Sequence, residues 1–263
     1  MTQPYIREPA VAGLFYPSDS GELRKSIDRV LSENHCEGMA AKAMILPHAG
    51  YPYSGPVAAK GYSLLEPIAS QIKRVVLLGP AHRVAFSGIA FSSAEAFATP
   101  LGVVEVDRES IDSILEMDAV LILDEAHEKE HCLEVHIPFL QTLLGSFKIV
   151  PGVVGEVSSD RVASILESLW GGPETLIIIS SDLSHFHDYD SARIMDAETS
   201  RCISGNCPEG IRSESACGRL PILGLLQLAE AKKMTIQTLD LRNSGDTAGP
   251  RDRVVGYGAF AFH

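Results

Sequence analysis

Three stretches of the 263-residue chain share one layout, an apolar run followed by a turn and a histidine. Met44-Ile-Leu-Pro delivers His48, Val75-Val-Leu-Leu-Gly-Pro delivers His82, and Ile177-Ile-Ile-Ser-Ser delivers Asp182, His185 and His187. A lone loop histidine is ordinarily a solvated or hydrogen-bonded side chain. Three that follow three strand-like runs have a common explanation, because open α/β sheets bind ligands beyond the carboxyl ends of their strands. If the three strands are parallel neighbours, the imidazoles converge. Converging imidazoles hold metal ions and exchange protons near neutral pH.

Two further clusters are weaker by themselves. His127-Glu-Lys-Glu-His131-Cys132-Leu-Glu134-Val-His136 is rich in donors, but its spacing matches neither HExxH nor a zinc finger. Glu134 is placed to cap, or to enter the first turn of, a helix running to Leu144, where a carboxylate meets the positive helix end. Asn243-Ser-Gly-Asp246 is locally an ordinary turn. It gains interest beside imidazoles, since two histidines and a carboxylate leave open positions on Fe(II). Zinc uses the same donors, so spacing does not name the metal.

The elements that would position these groups alternate between strand and helix. Strands are expected at 43–46, 73–79, 88–91, 103–106, 147–154 (interrupted by Pro151), 175–181 and 253–262, and a Gly/Pro-rich turn is expected after His48. A helix opening at Ser20 places Leu23, Ile27, Val30 and Leu31 on one face. Others are expected near 109–117, 134–144, 159–170, 189–203 and 215–232. The resulting fold class is α/β, a central mostly parallel or mixed sheet with helices on both faces. No repeat or linker divides the chain, so residues 1–263 are expected to form a single domain.

Composition narrows the function classes. With 22 Lys+Arg against 34 Asp+Glu the net charge is −12, which argues against a general nucleic-acid or anionic-membrane binder. The apolar runs are far shorter than the roughly 20 residues of a bilayer span. The start, Met1-Thr-Gln-Pro-Tyr-Ile-Arg-Glu, shows no signal-peptide core. The five cysteines, Cys36, Cys132, Cys202, Cys207 and Cys217, form no CxxC pair and read as reduced thiols, mostly small buried hydrophobes. A cytoplasmic location is expected.

The longer motifs resemble one family. They are Arg7-Glu-Pro-Ala-Val-Ala-Gly-Leu-Phe-Tyr-Pro, Pro47-His-Ala-Gly-Tyr-Pro-Tyr-Ser-Gly-Pro-Val-Ala, Leu78-Gly-Pro-Ala-His, Glu130-His-Cys-Leu-Glu-Val-His-Ile-Pro-Phe-Leu-Gln, Ser180-Ser-Asp-Leu-Ser-His, Cys217-Gly-Arg and Asn243-Ser-Gly-Asp. In this order they resemble the Memo-like family, also described as AmmeMemoRadiSam system protein B. Its fold is similar to that of class III extradiol ring-cleaving dioxygenases, which hold non-haem Fe(II) on two histidines and a carboxylate. The resemblance implies His48, His82 and Asp246 as metal ligands, with Asp246 standing where animal Memo proteins have a cysteine. It implies His185 as the catalytic acid/base with Asp182 beside it, and His131 lining the pocket. Cys132 and His136 stand where the family usually has Ser and Gln. The metal it implies is Fe(II), with zinc and copper as alternatives.

Three functions compete on these grounds. The first is a metal-dependent, dioxygenase-like oxidoreductase in which His185 moves the proton. The second is a non-catalytic module that binds a peptide or small anion in the same pocket, lined by Tyr51, Tyr53 and Arg219. The third is zinc-type hydrolysis. Ser181-Asp182 and Ser184-His185 supply hydrolase residue types, but there is no Gly-x-Ser-x-Gly elbow and no phosphate-cradling loop. The ligand expected is a small molecule or peptide.

Overall fold

Apolar runs without polar alternation are stable as strands only where both faces of the sheet are covered. The computed structural model, which describes residues 4–263, puts them at the centre of a mixed sheet flanked by helices. The first three residues of the N-terminal stretch read above lie outside the described residues. In chain order the elements are β1 (Ile6–Arg7), α1 (Ser20–Glu33), β2 (Ala43–Leu46), α2 (Tyr51–Ser63), β3 (Arg74–Pro80), β4 (Ile89–Phe91), β5 (Ala96–Thr99), β6 (Gly102–Glu105), α3 (Arg108–Asp112), β7 (Val120–Ile122), α4 (Glu125–Glu128), α5 (Ile137–Leu143), β8 (Lys148–Val154), α6 (Ser159–Ser168), β9 (Thr175–Ser180), β10 (His185–His187), α7 (Tyr189–Ser204), α8 (Arg219–Ala231), β11 (Ile236–Asn243) and β12 (Val254–Phe262).

The main sheet runs β10-β12-β2-β9-β3-β8-β4-β7, with β11 also paired to β12. Its centre, β2-β9-β3-β8, is parallel. The register sets Leu46 opposite Ser180 and Leu78 opposite Ile179, so β2, β9 and β3 end side by side. β12 is antiparallel to β2, and β4 to β8. A small second sheet, β1-β5-β6, ties down the N-terminal segment. Every side chain of β2 and β9 is buried, and each Val, Leu or Ile so removed from water contributes roughly 1.5–3 kcal/mol. Helix α8 packs on β3 and β9 with α6 against it, and α2 packs on β2 and β12 beside α1 and α5.

Several expectations shift in detail. The α1 cap is Asp19, whose side chain accepts from Glu22 N–H at 2.9 Å, rather than Ser20. Its inward face is Leu23, Ile27, Val30 and Leu31 as expected. The segment after His48 is a helix, α2, rather than a turn, because Pro52 falls in its first turn, where no N–H is needed. β8 runs through Pro151, which lies beyond the stretch that β4 pairs, Gly152 to Val154. The helix expected over 109–117 stops at Asp112, after which Ser113 donates its hydroxyl to Ser110 O and the chain continues in tighter turns. The segment 134–144 opens as a 3-10 turn, Glu134–His136, before α5.

Glu134 enters the first turn of that 3-10 segment, as one of the two expected placements, rather than capping it. Its carboxylate is buried and pairs with Arg7, and it accepts from Ala10 N–H at 2.8 Å, Val11 N–H at 3.0 Å and Tyr16 O–H at 2.5 Å. Arg7 also donates to the His127 and Glu130 carbonyls. One ion pair thus fastens the N-terminal strap to the segment that carries His127 to His136. Removing one partner of a buried pair leaves an uncompensated charge, so Arg7→Met should lower unfolding stability by about 3–5 kcal/mol. Chemical denaturation checks this; a loss below about 1 kcal/mol would show that the pair is not what holds the strap.

Candidate metal centre

The parallel strands release their polar residues at matching positions. His48 lies two residues beyond β2, His82 two beyond β3 and Asp182 two beyond β9. The loop before α5 adds His131. The His48, His82 and His131 rings lie 4.7–5.4 Å apart, centroid to centroid, and one donor atom from each falls within 4.8 Å of the others. His48 is buried, whereas the His82 side chain is 27% exposed, so solvent reaches the cluster from the His82 side.

Each proposed ligand is oriented through its second ring nitrogen. His82 Nδ1 lies 2.9 Å from Glu130 Oε1, a carboxylate that accepts only, so the proton is on Nδ1 and Nε2 is free. Glu130 also accepts from the backbone N–H groups of His82, His131 and Cys132 at 2.7, 2.9 and 3.1 Å. Burial opposes its ionised form, but these donors and the neighbouring imidazoles hold the carboxyl far below the ordinary range. This carboxylate–histidine pairing is the usual support of a metal-ligating imidazole. On the other side, His48 Nδ1 lies 2.6 Å from Ser180 Oγ. Burial pushes His48 well below the usual imidazole range, with His82, His131 and His136 adding to the effect, so it is neutral and can ligate.

Cys217 completes the wall. Its Sγ lies 3.4 Å from His48 Nε2 and accepts from Asp182 N–H at 3.3 Å. Burial, reinforced by the Asp182 carboxylate, pushes the thiol up to about 12. Asp182 Oδ1 accepts the His48 backbone N–H at 2.8 Å, and burial raises its carboxyl against the lowering effect of that bond and of His185, His131 and His82. His185 donates Nδ1–H to Leu183 O at 2.7 Å, which leaves Nε2 with a lone pair.

Asp246, expected as the third ligand, is not among the side chains grouped with His48, His82 and His131. It closes a capping box with Asn243 in the 3-10 turn Ser244–Asp246. Its oxygens accept from Asn243 N–H at 3.1 Å and Tyr189 O–H at 2.5 Å. The turn reading of Asn243-Ser-Gly-Asp246 therefore holds, and the side chain serves that turn and α7. Tyr51 and Arg219 are likewise occupied, donating to Val135 O and Ile211 O, both at 2.8 Å. Tyr53 remains 41% exposed. Surface hollows of about 600 and 720 Å³ lie elsewhere and contain none of these histidines.

Glu130 and Cys217 are the residues that sequence reasoning left without a role. Both stand inside the motifs of the resemblance. Neither carries a local signal, because Glu130 acts on a residue 48 positions away and Cys217 on one 169 positions away.

The sequence profile described as Memo-like protein matches residues 7–261. The chain belongs to the Memo family. MEMO1 family proteins are similar to it over nearly full length: 37% identical in Aquifex aeolicus (96% of this chain, 97% of the relative), 36% in Aeropyrum pernix (97% and 98%) and 35% in Methanosarcina acetivorans (97% and 98%). In this Memo-family chain the matched span includes the cluster and the Arg7–Glu134 strap.

His127 and His136 belong to the core. His127 Nε2 donates to Ala90 O at 2.9 Å, and burial pushes the imidazole down to about 4. The unfolded chain, with an ordinary imidazole near about 6.5, takes up that proton first. Stability linked to His127 is therefore complete above about pH 6.5 and falls as pH drops toward 4, by on the order of 3 kcal/mol. Denaturation from pH 7 to 4 should show this slope, and His127→Gln should flatten it. An equal slope in the variant would assign the loss to other groups.

Proposed function

We propose that His48 and His82 hold a redox-active first-row transition metal through Nε2, and that the chain is a metal-dependent oxidoreductase acting on a small ligand. The observation that carries this reading is the pair of imidazoles whose Nδ1 atoms are each engaged by a dedicated partner, Ser180 for His48 and Glu130 for His82, with the Cys217 thiol against His48 Nε2. His131 and the Cys217 thiol flank them as further donors. Three imidazoles and a thiol suit iron, copper or zinc, and the sulfur moves the preference from the Fe(II) carboxylate set toward softer ions. A bound redox metal would supply a Lewis acid and an electron-transfer couple.

The protein's own residues supply the rest. Glu130 and Ser180 orient the two ligands. His185, its proton donated from Nδ1 to the Leu183 carbonyl, offers Nε2 as a base to a ligand entering past the exposed His82. Asp182 fixes the His48 backbone and contributes a carboxyl raised by burial.

Anaerobic titration with Fe(II), Cu(I) and Zn(II), followed by oxygen uptake with catechols and other reductants, tests the proposal. One tightly held iron or copper per chain is expected, lost in His48→Ala and His82→Ala and retained in Asp246→Asn. Metal-independent ligand binding would favour a binding module instead, and oxygen-independent activity with zinc alone would favour hydrolysis. Unchanged metal content in both histidine variants would overturn the reading.

A further inference from the structure

We propose that Ser180, held in place by His136, fixes the proton of the His48 imidazole on Nδ1 and so presents the Nε2 lone pair to the imidazole cluster. Its purpose rests on the metal-centre reading above, but the hydrogen-bond directions do not. Ser180 Oγ is fully buried at the end of β9 and has three partners: the Cys132 carbonyl oxygen at 2.6 Å, His48 Nδ1 at 2.6 Å and His136 Nε2 at 2.9 Å. A carbonyl oxygen only accepts, and two oxygens at 2.6 Å repel unless a hydrogen lies between them. The single Ser180 hydroxyl proton therefore points at Cys132. The two lone pairs left on Oγ can only accept, so both imidazoles donate to it. His48 carries its proton on Nδ1, and His136 carries its proton on Nε2.

The remaining nitrogen of His136 has a partner that suits this direction. Nδ1 lies 2.7 Å from Tyr62 O–H, which donates to it. Tyr62 is itself buried and stacked on Phe139 at 4.8 Å. Tyr62, His136 and Ser180 thus donate in one direction along a chain that ends on the Cys132 carbonyl acceptor, and the Ser180–Cys132 link sets the direction of the others. Ser180 does for His48 what Glu130 does for His82, with a neutral acceptor in place of a charged one. His136 occupies the second lone pair, so the hydroxyl has one orientation. A glutamine offers the same donor and acceptor ends, and a leucine offers neither.

The direct test is long-range 1H–15N correlation on the metal-free full chain labelled with 15N-histidine, together with Fe(II) titration against a competing chelator. The expected wild-type result is protonated Nδ1 at His48 and protonated Nε2 at His136. Ser180→Ala should lose the single His48 tautomer and weaken Fe(II) binding about 10–100-fold. His136→Gln should keep the tautomer and stay within about threefold of wild type, with His136→Leu falling between the two. A wild-type His48 protonated on Nε2 overturns the proposal, as does an unchanged tautomer and affinity in Ser180→Ala. The wild-type spectrum decides even if a variant fails to fold. The expected tautomer in a protein that binds no metal supports the hydrogen-bond assignment and defeats only the metal reading.

Discussion

The structure depends on the parallel alignment of β2, β9 and β3. Because the three strands are neighbours and end together, each places the residue two positions beyond its end at the same edge of the sheet. No local interaction could bring positions 48, 82 and 182 together. The strands themselves are specified by nothing finer than uninterrupted apolar runs, which require cover on both faces. The site is therefore a consequence of core burial.

A second layer of polar groups orients the side chains gathered at that edge. Glu130 collects three backbone N–H groups and the His82 imidazole, and this many donors outweighs the desolvation of a buried carboxylate. Ser180 performs the corresponding task for His48. The Arg7–Glu134 pair fixes the segment that carries Glu130, His131 and Cys132, so the N-terminal strap and the cluster form one connected system. In this chain the Arg7-Glu-Pro-Ala-Val-Ala-Gly-Leu-Phe-Tyr segment is thereby linked to the segment that carries His131.

Much of this was legible in the residues, and the failures share a cause. Periodicity and apolar runs located β2, β3, β8, β9, β12 and the inward face of α1. The convergence of His48 and His82 followed from strand adjacency alone. By contrast, α2 read as a turn because prolines mask a helix whose first turn tolerates them. The resemblance implies a ligand position for Asp246, while its own neighbourhood, Asn243-Ser-Gly, describes the turn it closes. Cys217 and Glu130 act through contacts made across the sheet edge, and sequence spacing does not encode such contacts. His127 shows the reverse: a histidine in a donor-rich run that serves the core through the Ala90 carbonyl.

The central claim is that one ion sits between His48 and His82. Anomalous diffraction from crystals soaked in the metal, recorded on both sides of its absorption edge, locates such an ion without reference to activity. The account predicts a single strong peak bonded to Nε2 of both rings, with His131 or Cys217 adjacent and none at Asp246. A peak at Asp246, or density at the paired imidazoles with no anomalous signal, would contradict it.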